Sequence, residues 1–146
     1  MGNYVHSNLI PGEQVVYETG VHPIVFLPPA AFVIGGIVFG VLSMPYPGAI
    51  FLAIGVVMFA AAWIRQWASE FAVTNKRVVI KVGFISRRTI EINMSKVESV
   101  EINQDIFARL LNYGTIVVIG TGGTKEPFDL IADPLAFRRA VQSQQN

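Results

Sequence analysis

Residues 24–64 read IVFLPPAAFVIGGIVFGVLSMPYPGAIFLAIGVVMFAAAWI, without one charged side chain. This run decides the architecture. It is about twice as long as the roughly 20 apolar residues that one membrane span needs. It breaks at Ser43-Met44-Pro45-Tyr46-Pro47-Gly48, where two prolines and a glycine form a strong turn signal. The run therefore predicts a helical hairpin with spans over residues 24–42 and 49–64. Pro28 and Pro29 are expected to delay the regular helix to about Ala30, or to kink it.

The first span does not read as a cleaved signal peptide. No Lys or Arg precedes it, no small-residue cleavage pattern stands before the turn, and a second apolar segment follows at once. The turn is free of Lys and Arg, whereas Arg65 stands at the exit of the second span and is followed by Lys76, Arg77 and Lys81. Basic residues stay inside, so the C-terminal part is expected in the cytoplasm, and two spans return the N-terminus to the same side. Trp63 and Trp67 flank Arg65 and suit the headgroup level as interfacial anchors. Gly36 and Gly40 in the first span, and Ala49 and Ala53 in the second, are small residues that let helix backbones approach closely, within the hairpin or between copies.

Outside this run the chain changes character. Of its 146 residues 52% are hydrophobic and only 14% charged, against a usual charged share of about 25%. Among the charged residues only Glu13 and Glu18 precede Arg65, so the deficit is local and the remainder is a normal, mildly basic segment. The absence of cysteine excludes disulfides, thiol catalysis and thiolate metal sites. Two histidines cannot build a zinc centre without several carboxylates nearby. The aliphatic and aromatic content excludes intrinsic disorder. The charge is too small and too mixed to suggest nucleic acid. No metal, cofactor or nucleic-acid partner is expected.

After Ala68 the hydrophobic period shortens to that of strands. Residues 70–74 and the β-branched run Arg77-Val78-Val79-Ile80-Lys81-Val82 are two arms around the turn Asn75-Lys76. Residues 84–92 and 97–103 alternate as half-buried antiparallel strands do. Residues 105–111 suggest a short helical turn ending at Asn112-Tyr113-Gly114. Residues 115–119 form a continuous apolar run, the mark of a strand buried on both faces. Gly120-Thr121-Gly122-Gly123 is a hairpin turn before a strand over 125–131, in which Pro127 marks an edge or a bend. Asp133 is a good N-cap and Pro134 a good first helical residue, and Phe137, Ala140 and Val141 form one apolar stripe. Before the spans, residues 15–18 suggest a short strand that packs near the membrane or on the soluble part. The division is an N-terminal segment over 1–22, the hairpin over 23–67 and a folded domain over 68–146.

The order of these elements resembles a known family. Phe71-Ala72-Val73-Thr74-Asn75-Lys76-Arg77 follows two spans, and Lys81-Val82-Gly83-Phe84-Ile85 with Arg87-Arg88 comes next. Lys96-Val97-Glu98-Ser99-Val100, Arg109-Leu110-Leu111-Asn112-Tyr113-Gly114-Thr115, the glycine turn and Asp133-Pro134 complete the series. The chain is similar in this to the bacterial pleckstrin-homology (PH)-like membrane proteins of the cytoplasmic (inner) membrane. The resemblance implies an α+β architecture. A transmembrane hairpin precedes a PH-like antiparallel β-sandwich or partly open barrel, capped by the C-terminal helix. It carries over no catalytic motif, and fold alone does not give function.

The residues themselves offer little chemistry. Glu91, Glu98 and Glu101 read as solvated strand positions, with Glu98 and Glu101 on opposite faces. No histidine lies after the spans to activate a Ser or Thr. His22, beside Pro23, reads as an interfacial residue. The glycine cluster precedes a strand, so it lacks the helix N-terminus of a phosphate loop. Lys76, Arg77, Lys81, Arg87 and Arg88 remain as candidate contacts to anionic lipid or to a partner, although Arg87 and Arg88 would point to opposite faces of a regular strand.

The first expectation is therefore a non-catalytic, membrane-anchored scaffold or accessory subunit that binds another membrane protein or assembles with itself. The alternative is recognition of anionic lipid headgroups by the basic hairpins. A transporter role is opposed by the absence of ionisable residues within the spans.

Overall fold

The computed structural model describes residues 4–83, 87–123 and 125–145. The apolar run folds as two antiparallel helices, α2 over Leu27–Val41 and α3 over Pro45–Ala68. A 3-10 turn over Pro23–Phe26 leads into α2. With that turn, the first apolar helix spans Pro23–Val41, and both helices are long and apolar enough to cross a membrane. Only 11% and 17% of their apolar windows is buried inside the protein, far less than a soluble core helix would hide.

The prolines open helices rather than break them. Pro28 and Pro29 fall in the first turn of α2, where a missing N–H costs no intrahelical bond, so the helix starts at Leu27 and not at Ala30. Pro45 and Pro47 occupy the start of α3 in the same way. The expected six-residue turn shrinks to Leu42, Ser43 and Met44, with Ser43 in the left-handed region at φ 61° and the Met44 N–H on the Phe39 carbonyl at 3.0 Å. The second helix accordingly begins earlier and ends later than residues 49–64.

That starting point sets which face of α3 meets α2. Gly48, Gly55 and Ala62 recur every seven residues and are buried. A Cβ on Gly55 would lie 2.8 Å from Val33 Cγ2, and one on Gly36 would lie 2.6 Å from Leu52 Cγ. Of the four small residues expected to pack the helices, Gly36 lies in this seam and the Gly40 backbone faces Gly48 across it, where a Cβ on Gly48 would lie 3.2 Å from the Gly40 N; Ala49 and Ala53 are exposed. Tilted ring pairs, Phe26 with Phe59 and Phe51 with Phe32 and Phe39, add to the contact.

The rest of the chain forms two antiparallel sheets. The first has the order β1 (Val15–Thr19), β2 (Glu70–Thr74), β3 (Arg77–Val82), β4 (Arg88–Asn93). The second has the order β5 (Val97–Asn103), β6 (Tyr113–Gly120), β7 (Lys125–Ala132). They remain two sheets and do not close into a barrel. The short helix α4 over Ile106–Leu110 joins β5 to β6, and α5 over Pro134–Gln145 packs its buried Phe137 and Val141 against the core. Asp133 caps α5 by accepting the Ala136 N–H at 3.2 Å, as its position before Pro134 predicts. Phe71, Val78, Ile80, Ile116, Val118 and Ile131 supply the core from both sheets.

The strand ahead of the spans takes the second of its two expected places. β1 pairs with β2 from Val15 opposite Thr74 to Thr19 opposite Phe71. The hairpin is thus inserted between the first two strands of one sheet, and β1 belongs to the same sheet as the strands that follow the hairpin. The connection to the hairpin is tied down too: the His22 N–H bonds the Leu130 carbonyl at 2.7 Å and the Ala132 N–H bonds the Gly20 carbonyl at 3.0 Å. A helix that sequence analysis did not anticipate, α1 over Tyr4–Ser7, lays Val5 on Ala72 and Val79. β2 is consequently buried on both faces.

Three strand readings change. β4 starts at Arg88, Arg87 lies before it, and Phe84, Ile85 and Ser86 lie outside the described residues. The opposition of Arg87 and Arg88 across one regular strand therefore has no basis. β6 buries Ile116 and Val118 on its core side and Ile119 at its end, but leaves Thr115 and Val117 on the outer face only partly buried. A register shift between Val97 and Ser99 lets Glu98, Ser99 and Glu101 all reach solvent, so Glu98 and Glu101 are not separated by a buried face.

Candidate functional site

The five basic residues do not form one cationic surface. Arg77 leaves β3 on its outer side and grips the buried Glu13 carboxylate with Nε at 2.9 Å and Nη2 at 3.0 Å. Its other nitrogen bonds Glu91, and Nη2 also reaches the Asn8 carbonyl at 2.7 Å. Burial pushes the Glu13 carboxyl up, but the hydrogen bonds from Arg77, the Ile10 N–H and the Thr74 hydroxyl, with the Arg77 charge, outweigh it and hold its pKa below the ordinary value. The bond to Glu13 raises the pKa of Arg77 in turn.

The other cations are also occupied. Lys81 donates to Glu70 at 3.3 Å and lies over the Tyr4 ring at 5.0 Å. Glu70 in turn accepts the N–H groups of Tyr4 and Val5 at 3.1 and 3.2 Å, at the first turn of α1. Lys76 donates to the Pro11 carbonyl at 2.7 Å. Arg88 reaches from the first sheet to Glu126 on the second, with both carboxylate oxygens at 2.8 Å. Arg87 is exposed. Sequence patterning showed the cations but not their partners, because Glu13 and Arg77 are 64 positions apart. Lys76, Arg77 and Lys81 clamp the N-terminal segment onto the sheet.

Trp63 and Trp67 are exposed one turn apart at the end of α3, and Arg65 lies between them in sequence. Gln66 bonds the Val21 carbonyl at 3.3 Å, joining the helix end to the connection after β1. His22 is a structural residue: its Nδ1 accepts the Ile24 N–H at 3.1 Å and its ring stacks on Tyr113 at 5.4 Å. The glycine cluster is the expected hairpin turn, with Gly122 and Gly123 at positive φ and the Gly123 N–H on the Gly120 carbonyl at 3.1 Å. Among the described residues no group of three or more His, Asp or Glu is placed to hold a metal ion.

Two surfaces were missed in the sequence. The first is α4. Its Asp105 cap accepts the Ala108 N–H at 2.7 Å, and Ala108 is the buried side chain. Ile106, Phe107 and Leu110 are 82%, 72% and 80% exposed, and Leu111 follows at 46%. The signal was present as two apolar pairs around Ala108-Arg109, but periodicity cannot tell whether such a turn is covered. Tyr113, two residues on, is the ring that meets His22, so α4 lies close to the start of the hairpin. The second is the junction where α3 meets the gap between the sheets. A cavity of about 570 Å³ lies there, between Ala61, Ile64 and Arg65 of α3 and Phe71, Val82, Arg88 and Phe128 of the two sheets.

The model of the bacterial PH domain matches residues 24–145, which takes in the hairpin and every strand but β1. No curated protein and no solved structure matches the chain. PH-like domains are interaction modules in general, and the two sheets with a C-terminal helix agree with that fold. By this match over most of its length, the chain belongs to the bacterial PH domain family.

Proposed function

We propose that this protein is a non-catalytic, membrane-anchored interaction module that binds another membrane protein or a second copy of itself. The hairpin crosses the membrane, and the PH-like domain presents its surface beside it in a fixed orientation. The carrying observation is the exposed apolar group Ile106, Phe107, Leu110 and Leu111, clustered on one short turn of the domain. Clustered exposed apolar side chains on a folded domain mark an interaction site. Ala49 and Ala53, exposed on the hairpin, give helices of a partner a close approach on the membrane side.

Headgroup recognition by the five basic residues is less favoured, since Lys76, Arg77, Lys81 and Arg88 already have internal partners. The test is mild detergent extraction of the full chain, followed by native mass and identification of what travels with it. A discrete homo- or hetero-complex is expected, and Phe107→Asp with Leu110→Asp should dissolve it while leaving the melting temperature unchanged. A strictly monomeric, partner-free wild type overturns the proposal.

A further inference from the structure

Arg65 is the exception among the cations that the fold places near the hairpin. Arg77, Lys81 and Arg88 each have a carboxylate within 3.3 Å, whereas no ion pair or hydrogen bond holds the Arg65 side chain among the described residues. It nevertheless lies between two apolar spaces. On one side is the junction cavity of about 570 Å³, whose rear wall is Phe71 edge-on to Phe128 at 5.7 Å. On the other is a space of about 470 Å³ along Leu27, Met58 and Leu130. Ala61 lines both, one helical turn before Arg65 toward the hairpin's interior.

We propose that this junction holds one anionic phospholipid, its phosphate on the Arg65 guanidinium and an acyl chain against Ala61 and Ile64. This rests on the reading that the hairpin crosses a membrane. The cavity has the size of ordinary ligand pockets and the composition of one, mostly apolar with few polar groups. A guanidinium pairs with phosphate through parallel charge-assisted hydrogen bonds, the strong kind. The local charge asks for an anion. Arg88 is matched by Glu126. Asp129 also borders the cavity, but its carboxylate accepts the Thr115 hydroxyl at 2.8 Å on the outer face, opposite the inward-facing Phe128. The Arg65 charge is left over.

The proposal separates this site from the basic hairpins. Full-length protein in detergent is mixed with phosphatidylglycerol or phosphatidylcholine, and retained lipid is counted by native mass spectrometry. One phosphatidylglycerol per chain is expected, with little phosphatidylcholine. Arg65→Gln should lower retention at least about tenfold, the scale of losing a charge-assisted bond. Lys76→Gln, in the basic hairpins and outside the cavity, should leave it unchanged. Ile64→Trp fills the cavity without touching the charge and should also abolish retention, which guards against a folding defect in the arginine variant. Equal retention of the two lipids, or equal retention by wild type and Arg65→Gln, overturns the site. The membrane reading is tested apart from it. Single cysteines at Ser43 and Ser95 should label from opposite sides of sealed vesicles; labelling from one side overturns that reading whatever the lipid count.

Discussion

Arg77 and Glu13 form a two-pronged ion pair, 2.9 Å at Nε and 3.0 Å at Nη2, between residues that lie on opposite sides of the hairpin in sequence. The pair is enclosed: the Glu13 side chain is fully buried and the Arg77 side chain is 12% exposed. Thr74 donates its hydroxyl to the same carboxylate at 2.8 Å, so β2, β3 and the N-terminal segment meet at one point. Removing one partner leaves a buried charge. Arg77→Met should therefore destabilise the domain by about 3–5 kcal/mol, and adding Glu13→Gln should recover part of the loss. Chemical denaturation followed by tryptophan-independent circular dichroism measures both.

The same pair gives the domain an acid limit. The Glu13 pKa in the folded chain lies below its ordinary 4.5. Its contribution is complete above pH 4.5 and is lost as the pH falls from there through the lower folded value. Glu13→Gln should flatten the fall of melting temperature in that acid window. Tyr17 behaves in the opposite sense. Burial, aided by the Asp133 charge, raises its pKa above 10.0, so stability should decline as the pH rises past 10, and Tyr17→Phe should remove that decline.

The helix seam predicts an asymmetry between small residues. Gly55→Leu and Gly36→Leu force side chains into Val33 and Leu52 and should open the hairpin, costing about 1–3 kcal/mol or more each. Ala49→Leu and Ala53→Leu change exposed positions and should leave the melting temperature in detergent unchanged. A loss of assembly in the alanine variants without a loss of stability would assign that outer face to a partner.

Cutting the chain between the spans and the domain should fail. Residues 68–146 alone lack β1, α1 and the Glu13 carboxylate, and leave one edge of β2 unpaired. That fragment is expected to aggregate. Residues 4–22 joined by a short Gly-Ser linker to residues 69–145 restore the strand and the ion pair, and should give a monomeric domain with dispersed amide resonances. A well-folded 68–146 fragment would show that β1 is dispensable.

What the sequence made legible was what depends on near neighbours. An uncharged run, a proline turn, the alternation of 97–103 and the Asp133-Pro134 cap are all local, and each appears in the fold close to where it was read. What was illegible depends on distance along the chain. Arg77 looked like a lipid contact because Glu13 was too far away to be counted. Ala72 has the same alternation as its neighbours, and only α1 makes both faces of its strand interior. Gly48 was read as part of the turn, because nothing local told that α3 begins at Pro45 and carries it into the helix seam. Phe107 and Leu110 were read as part of a turn, since exposure is a property of what lies opposite.

The placement of the hairpin between β1 and β2 also orders the life of the chain. During synthesis β1 emerges without a partner and must wait for both helices before Phe71 can meet Thr19. Such a long-range pairing is slow to form and late by necessity. On the proposed reading that both helices cross a membrane, strand pairing would also be a check on insertion. A chain that threaded only one helix would then leave its first and second strands in different compartments, with the β2 edge bare and Arg77 without Glu13. Correct insertion would then be read out by two strands that must be able to touch.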